Sequence, residues 1–494
     1  MSRERGAEVG ATAQWSDAAS GGPGRGDVDD RPREECGVVG LFNVADAAQL
    51  TYRGLFALQH RGQESAGRAY VAASGQDILV DKGMGLVSEV LTEPGPPDAR
   101  LAIGHVRYST TGTSSLDNAQ PLLMRSRFGP MALAHNGNLT NHAGLRRTLE
   151  ARGAIFQTSS DSEVLAHLVA HGVAQRWLTA LEGGAHQLVG GFAYVVLTPT
   201  SLVALRDPHG IRPLVVGTRG GGVVVASETA GLDAMGADYL RDVDPGEMLV
   251  VGEQGLSTRR PWGPLPAGPT PCAFELVYFS RPDSRSHGQS VHRTRRALGR
   301  QLWEEQPADA DVVVGVPDSS LPAAMGYAEA AGLPLDFGLV KNRYVGRTFI
   351  VPNQNGRTDS VALKLSAVED VVAGRRVVLV DDSLVRGTTA ARLVQLLRQA
   401  GAQAVHMRIA SPPYTHPCHY GIDTSRSREL AAASLSRPEL LKRIGADSLG
   451  YLSQAGLQAA LPGQGEWCLA CFGAGYPVPI PPEEELAPVE GGLP

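Results

Sequence analysis

The chain has 494 residues, a formal net charge of −6 and a pI of about 6.1. This length gives room for two or three domains, and the acidic balance without a basic tract excludes nucleic acid as the expected main partner. No apolar run approaches the roughly 20 residues that span a bilayer, so no membrane partner is expected.

The first 35 residues form a polar segment rich in Gly, Ala, Ser, Asp, Glu and Arg. They lack the apolar core of a secretory signal, and their composition predicts a disordered leader or propeptide at 1–35. The alternative is a disordered N-terminal segment that is never removed, which would have the same composition. Because there is no export signal and only five cysteines occur, we expect a reducing, cytoplasmic location.

Cys36 begins an apolar run, residues 36–42, that predicts the first strand. Cleavage between Glu35 and Cys36 would give one residue both a thiol nucleophile and an α-amine base. A free α-amine has a pKa of about 7.7–8.0 and a thiol about 8.5, so proton exchange between them costs little near neutral pH. The alternative is a small buried hydrophobic residue at the start of a strand.

The chain from Cys36 to about Gly255 contains short apolar runs separated by Gly, Asn and Asp. Runs such as 101–104, 192–197 and 222–226 predict buried strands, in sheets that stack on one another. The apolar spacing that follows Asp161 predicts a helix over about 162–174, with Asp161 as its acidic cap. Residues 260–269 are dense in Pro and Gly and predict a linker.

Beyond the linker, strand and helix patterns alternate. The continuous β-branched runs at 312–316 and 377–380 are typical of a parallel sheet covered on both faces. Helices are predicted near 323–331 and 389–399. The final residues, 477–494, are rich in Pro and Glu and predict a disordered tail.

Residues 377–389, which read VVLVDDSLVRGTT, carry the strongest single motif. A buried strand ends in Asp381 and Asp382, and a turn of Gly and hydroxyl residues then enters a helix, whose N-terminus favours a phosphate. The two carboxylates suit sugar hydroxyls or a hard cation such as Mg²⁺. Together these features describe a 5-phosphoribosyl group, while the alternative is an Asp pair that only caps a helix.

This segment resembles the phosphoribosyltransferase signature for phosphoribosyl pyrophosphate (PRPP). Residues 316–320 resemble the pyrophosphate loop, and residues 341–350 resemble a flexible basic loop that closes over PRPP. Ala362 departs from the family, which commonly has a basic residue there. The resemblance implies a Mg²⁺ site at Ser319, Asp381 and Asp382, and PRPP binding by Asp381, Asp382, Ser383, Arg386, Gly387, Thr388, Thr389, Lys341, Arg343 and Lys364.

Four segments of the first half, 58–65, 104–110, 134–139 and 158–163, resemble a class II glutamine amidotransferase. Individually each is weak, because an Asn-Gly pair is usually a turn and an Arg usually a surface charge. The resemblance implies that Cys36 is the nucleophile and that Asn136 and Gly137 form an oxyanion hole. It also implies that Arg107 binds the glutamine carboxylate and Asp161 its ammonium group.

Both patterns in one chain resemble the glutamine PRPP amidotransferase family, from Cys36 to about Tyr476. The resemblance implies an α+β N-terminal-nucleophile domain at 36–260, with stacked antiparallel sheets between helices. It implies an α/β type I phosphoribosyltransferase domain with a parallel sheet at 270–476. The implied reaction converts PRPP, glutamine and water to 5-phosphoribosylamine, glutamate and pyrophosphate, the first committed step of purine biosynthesis.

The sequence leaves two other functional interpretations open. A class II amidotransferase that makes an amino sugar would lack the motif at 381–389, and a degenerate nucleotide sensor would lack some of the catalytic residues. Purine nucleotide effectors and a homotetramer follow from the resemblance alone.

Four cysteines remain besides Cys36, and they are Cys272, Cys418, Cys468 and Cys471. Their spacing alone allows zinc, an iron–sulfur cluster or no metal. They match the branch of the family that carries a [4Fe–4S] cluster and a removable leader. The leader of 35 residues is longer than this branch leads us to expect.

Overall fold

The computed structural model describes residues 36–72, 75–108, 112–265, 268–341, 365–424, 427–463 and 465–482. The predicted leader, Arg343, Lys364 and Ala362 lie outside the described residues.

Two antiparallel sheets form the N-terminal half. The first has seven strands: β1 (Gly37–Phe42), β2 (Ser65–Val71), β3 (Ile78–Met84), β4 (Leu101–Arg107), β9 (Val215–Arg219), β10 (Gly222–Ala226) and β11 (Asp238–Asp242). The second has six: β5 (Leu122–Ser126), β6 (Gly129–Leu139), β7 (Gly190–Thr198), β8 (Ser201–Arg206), β12 (Met248–Gly252) and β13 (Gly255–Arg259).

The two sheets share one apolar core, because side chains such as Val38 and Ile103 of the first sheet cluster with Val195 of the second. Helices α1 (Ala47–Ala57) and α6 (Thr229–Ala234) cover the first sheet, where the short α2 (Val87–Val90) also lies. Helices α3 (His142–Glu150), α4 (Glu163–His171) and α5 (Trp177–Ala185) cover the second. The predicted arrangement of stacked antiparallel sheets between helices is confirmed.

Helix α4 confirms the helix predicted after Asp161, but not the predicted cap. The helix begins at Glu163 with Ser162 as its N-cap residue, and no side chain caps it. Asp161 Oδ2 instead accepts a hydrogen bond from the Leu139 N–H at 2.9 Å. The Asp161 carboxylate is therefore tied to the end of β6 rather than to its own helix.

A four-stranded parallel sheet forms the centre of the C-terminal half, in the order β16 (Val312–Gly315), β19 (Arg376–Asp381), β20 (Ala404–Ile409) and β21 (Ser448–Tyr451). Two short hairpins accompany it: β14 (Arg285–Ser286) with β15 (Gln289–Ser290), and β17 (Leu339–Lys341) with β18 (Leu365–Ala367). The helices are α7 (Val291–Glu305), α8 (Leu321–Ala331), α9 (Glu369–Val372), α10 (Thr388–Gln399), α11 (Ala431–Ser434), α12 (Arg437–Ile444) and α13 (Gln454–Ala460).

Apolar clusters lie on both faces of this parallel sheet, as its β-branched strands predict. Residues 477–482 of the predicted tail are described: Val478 is buried, and its carbonyl accepts a hydrogen bond from the Tyr420 hydroxyl at 2.7 Å. Residues 483–494 lie outside the described residues. No helix in the described part of the chain has both the length and the apolar character that a bilayer span requires.

A buried group of charges joins the two halves. Arg61 Nε donates to Glu228 at 2.7 Å, and Arg61 Nη1 donates to Glu275 at 3.2 Å. Glu275 begins a π-helix, Glu275–Phe279, immediately after the linker. Arg61, Glu228 and Glu275 are each at most 3% exposed, so every charge in this group depends on its partners.

We predict that Glu275→Gln lowers the free energy of unfolding by about 3–5 kcal/mol, because it removes the negative partner of a buried guanidinium. A shift of the urea unfolding midpoint measures the effect. Glu329→Gln is the matched control, since Glu329 pairs with Arg296 at the surface and is 53% exposed. Because solvent screens this surface pair, the control should barely shift the midpoint. Equal shifts for the two variants would contradict the prediction.

Candidate active site

Cys36 lies directly before β1, at the edge of the first sheet where β4 ends. The pairing of Gly37 with Val106 places it beside Arg107 and Tyr108, and its Sγ donates to the Tyr108 carbonyl at 3.4 Å. Arg107, Glu64 and Asp161 all act electrostatically on the thiol. Burial is the main cause that raises the pKa of Cys36 to about 11, so the thiol is neutral at physiological pH.

Arg107 is 2% exposed and extends from the last position of β4. Its Nη1 donates to Glu64 Oε1 at 2.7 Å and to the Thr113 carbonyl at 3.4 Å. Glu64 lies within the sequence segment 58–65, but its residue type alone did not mark it as the partner of Arg107. A guanidinium has five donors, so a substrate carboxylate could be bound beside Glu64.

Asn136 and Gly137 lie on β6 of the second sheet, directly after His135, whose carbonyl lies 2.9 Å from His105 Nε2 of β4. Asn136 is fully buried, and neither its side-chain oxygen nor its nitrogen has a hydrogen-bond partner in the described structure. An unsatisfied buried amide costs roughly 1–3 kcal/mol, and such groups are enriched where a ligand completes them. Gly137 has φ of +128°, which favours glycine.

Asp161 lies beside a buried group of polar side chains that includes His135 and Ser162. His135 Nδ1 lies 3.0 Å from Ser162 Oγ and 3.8 Å from Asp161 Oδ1, and the His135 ring stacks on Tyr194 at 4.1 Å. Burial is the main cause that lowers the pKa of His135. Sequence reasoning missed this network, although His135 stands next to the predicted Asn136.

The second candidate site lies at the carboxyl edge of the parallel sheet. Asp381 ends β19 and Asp382 directly follows it; they are 5% and 2% exposed. Ser320 Oγ, at the start of α8, donates to Asp381 Oδ1 at 2.8 Å and also contacts Asp382. Ser319 Oγ donates to Asp382 Oδ2, and Ser383 Oγ donates to Asp382 Oδ1 at 2.8 Å. The predicted residues Ser319, Asp381, Asp382 and Ser383 therefore meet, and Ser320 joins them.

Helix α10 begins immediately after this acidic pair. Gly387, with φ of +82°, is its N-cap residue, and Thr388 and Thr389 form its first turn. Arg386 pairs with Glu429 at 2.7 Å. Lys341 ends β17 and pairs with Asp318 of the 316–320 loop at 3.0 Å. Of the predicted loop 341–350, Lys341 is described, and it contacts the 316–320 loop; residues 342–350 lie outside the described residues.

The four remaining cysteines are free of disulfides and meet in one apolar cluster, which contains Cys272, Cys468 and Cys471 with Cys418 packed against it. Cys272 forms a parallel bridge with Cys468, and Cys471 interacts electrostatically with Cys272, Cys418 and Cys468. Burial is the main cause that raises the pKa of Cys272 to about 11. Arg212, fully buried, supplies positive charge beside Cys272, Cys418 and Cys468.

Among the described residues, no group of three or more His, Cys, Asp or Glu side chains is arranged to hold a single metal ion. For Asp381 and Asp382 this fits Mg²⁺, which takes one or two carboxylates and completes its shell with substrate oxygens and water. Cys272, Cys468 and Cys471 belong to one buried apolar cluster against which Cys418 packs, and four thiols without a disulfide are the donor set that an iron–sulfur cluster would take.

Comparison with known proteins matches each half of the chain to a known domain family. A glutamine amidotransferase domain model matches residues 105–234, and a phosphoribosyl transferase domain model matches residues 288–412. The amidophosphoribosyltransferase of Synechococcus elongatus is 49% identical over 464 residues, which cover 92% of this chain and 93% of the relative. That of Bacillus subtilis is 49% identical over 455 residues, covering 90% and 95%.

A solved structure supports the same assignment for the fold. The Bacillus subtilis glutamine PRPP amidotransferase, described as complexed with ADP and GMP, has a TM-score of 0.85 and 48% identity. The match covers 91% of this chain and 98% of that one. From its sequence, its two domains and its architecture, this chain belongs to the amidophosphoribosyltransferase family.

Proposed function

We propose that this chain transfers the amide nitrogen of glutamine to C1 of PRPP, giving 5-phosphoribosylamine, glutamate and pyrophosphate. The observation that supports this most strongly is the presence of both residue sets in one chain, each gathered in space. The test is a single assay with glutamine, PRPP and Mg²⁺, in which glutamate and pyrophosphate should appear in equal amounts. Pyrophosphate that does not depend on an amine donor would contradict it.

In the glutamine half-reaction, the Cys36 sulfur attacks the side-chain amide and its proton passes to the α-amine of the same residue. The Asn136 amide and the Gly137 N–H stabilise the oxyanion, while Arg107 and Asp161 hold the substrate carboxylate and ammonium groups. Ammonia then leaves, and water releases glutamate from the thioester. This assignment requires removal of residues 1–35, so we propose cleavage before Cys36.

This arrangement predicts the pH dependence of glutamine hydrolysis. The buried Cys36 thiol, with a pKa of about 11, stays protonated through the neutral range, so the α-amine must be unprotonated to accept its proton. Because a free α-amine titrates at about 7.7–8.0, kcat/KM for glutamine should rise with pH through that region and then level off. A profile that continues to rise towards pH 11 would instead show direct titration of the thiol.

In the second half-reaction, ammonia attacks C1 of PRPP and displaces pyrophosphate. Asp381 and Asp382 would bind the ribose hydroxyls and Mg²⁺, and the first turn of α10 would receive the 5-phosphate. When bound, Mg²⁺ neutralises charge on the leaving pyrophosphate. Lys341 lies at the start of the predicted basic loop and would place positive charge beside the pyrophosphate. We propose that Arg343 and Lys364 also bind PRPP.

We propose that Cys272, Cys418, Cys468 and Cys471 bind a [4Fe–4S] cluster, which would tie the C-terminal segment to the body of the protein. The convergence of four thiols without a disulfide, together with the buried charge of Arg212, supports this assignment. When bound, the cluster contributes structural cross-linking, and no step of the proposed reaction passes through it.

Anaerobically purified protein should accordingly be brown and contain about four iron and four sulfide ions per chain. Cys471→Ser should lose most of the iron. Cys36→Ser is the matched control and should keep it, since Cys36 lies at the other candidate site. Colourless protein that holds zinc, or equal iron loss in both variants, would contradict the assignment.

The remaining proposals follow the family. One solved relative carries ADP and GMP, and another is described as the allosteric regulatory enzyme of purine biosynthesis, which supports purine nucleotides as effectors. We also propose a cytoplasmic homotetramer, which sedimentation at micromolar concentration would test. The amino-sugar alternative is disfavoured, because the described C-terminal half is a parallel sheet that carries the PRPP motif.

A further inference from the structure

A loop of the phosphoribosyltransferase half contacts the strand that carries the proposed oxyanion hole. The loop comprises residues 418–421, and the strand is β6, near Asn136 and Gly137. Asn138 Nδ2 donates to the His419 carbonyl at 2.8 Å, a hydrogen bond between positions 281 residues apart. Neither domain pattern on its own predicts this contact.

The backbone of the loop touches the backbone of Gly137. A methyl group on Gly421 would lie 3.0 Å from the Gly137 Cα and 3.2 Å from its carbonyl carbon. Gly421 has φ of +119°, a conformation that glycine adopts readily and other residues do not. Only glycine at position 421 therefore lets the loop approach this closely.

Strand β7 supports Gly137 at a second contact. A methyl group on Gly137 would lie 2.1 Å from the Gly191 carbonyl oxygen, and one on Gly191 would lie 2.9 Å from the Tyr420 Cβ. The segment around Gly137 is thus held between β7 and the 418–421 loop. Movement of the loop would be transmitted to Gly137, because no free space separates them.

The loop is itself fixed in place. Tyr420 is 1% exposed, and its hydroxyl donates to the Val478 carbonyl at 2.7 Å. The Tyr420 N–H also donates to Cys418 Sγ at 3.4 Å. The Tyr420 hydroxyl therefore ties the loop to the C-terminal segment at Val478.

We propose that the 418–421 loop is a positioning element for the oxyanion hole, through the contact of Gly421 with Gly137 and the hydrogen bond from Asn138 to His419. The proposal rests on the proposed glutamine site. An oxyanion hole works only when its donors are fixed where negative charge develops, and a displacement of about 1 Å can cost 10²-fold in rate. Glutamine chemistry would then require a correctly docked second domain.

The test is Gly421→Ala, which places a methyl group against Gly137. We expect kcat/KM for glutamine-dependent synthesis to fall about 10–100-fold, and ammonia-dependent synthesis to stay within about twofold. Gly332→Ala is the matched control: Gly332 also lies in the second half with positive φ, +66°, but an added methyl group would meet nothing within 4 Å. Asn138→Ala removes the hydrogen bond without adding bulk and should lower the glutamine-dependent rate in the same sense.

Two further measurements distinguish positioning from general damage. Glutamate γ-semialdehyde, whose adduct with Cys36 places an oxyanion in the hole, should bind Gly421→Ala more weakly by a similar factor. Alkylation of Cys36 by iodoacetamide, which needs no such hole, should be unchanged. Parent-like affinity for the semialdehyde in both Gly421→Ala and Asn138→Ala would overturn the proposal. If Cys36→Ala also kept its glutamine-dependent activity, the proposed function itself would fail.

Discussion

Cys36→Ala should abolish glutamine-dependent synthesis and leave ammonia-dependent synthesis intact. Cys36 is the proposed nucleophile, so its loss should lower the rate of glutamine hydrolysis by about 10⁴-fold or more. Added ammonia bypasses the first site and reacts at the acidic pair of the second. Glutamate and pyrophosphate release, measured with each donor, give the two rates.

The control for this variant is the substitution of a second buried cysteine by alanine. Cys272→Ala removes a cysteine that is also buried but lies in the group of four near the C-terminus. Cys272→Ala should lower the iron content of the protein. In freshly prepared, correctly folded protein it should change the rate of glutamine hydrolysis much less. A Cys36→Ala protein that hydrolyses glutamine at the parental rate would contradict the role of Cys36.

Asp382→Asn should abolish synthesis with both donors. Asp382 is 2% exposed and accepts hydrogen bonds from Ser319 and Ser383, so its charge has fixed partners and a fixed direction. Loss of that charge removes a ligand for Mg²⁺ and for the ribose hydroxyls, and kcat/KM for PRPP should fall by about 10²–10³-fold. The measurement is pyrophosphate release with ammonia as donor, which isolates the second site.

Asp311→Asn offers a matched control in the same sheet. Asp311 directly precedes β16 and therefore lies at the opposite edge from Asp381, where it pairs with Arg376. Solvent screens this exposed pair, so the variant should keep both its stability and its PRPP kinetics. Alkylation of Cys36 should proceed equally in both variants. A similar fall of kcat/KM for PRPP in the two variants would contradict the placement of the PRPP site at the carboxyl edge of the sheet.

Much of the fold could be predicted from local patterns. The β-branched run at 377–380 lies within β19, and residues 222–226 form β10, because continuous apolar runs suit strands buried on both faces. The helix predicted at 389–399 is α10, which begins one residue earlier at Thr388. These features depend on neighbours in sequence, which periodicity reports directly.

Contacts between distant segments could not be predicted in this way. Asp161 was expected to cap its own helix, but a backbone N–H of β6 competes successfully for its carboxylate. Glu64 pairs with Arg107 only because β2 and β4 are neighbours in the sheet. The approach of Gly421 to Gly137 depends on how the two halves dock, and no local pattern contains that information.

The resemblance to a known family filled part of this gap. It grouped Cys36, Arg107, Asn136 and Asp161. In the structure Arg107 and Asp161 act electrostatically on the Cys36 thiol, and His135, which directly precedes Asn136, lies 3.8 Å from Asp161. It did not identify Ser320, which contacts both Asp381 and Asp382. Hydroxyl residues in a loop are common, so only their position relative to the acids marks them.

The most direct test of the account compares protein that begins at Cys36 with protein in which cleavage before Cys36 is blocked, each verified by intact mass. We expect glutamine hydrolysis only when the mass shows that residues 1–35 are absent, since only then is the α-amine free to accept the thiol proton. Ammonia should serve both forms equally. A form that retains the leader and hydrolyses glutamine at the full rate would contradict the account.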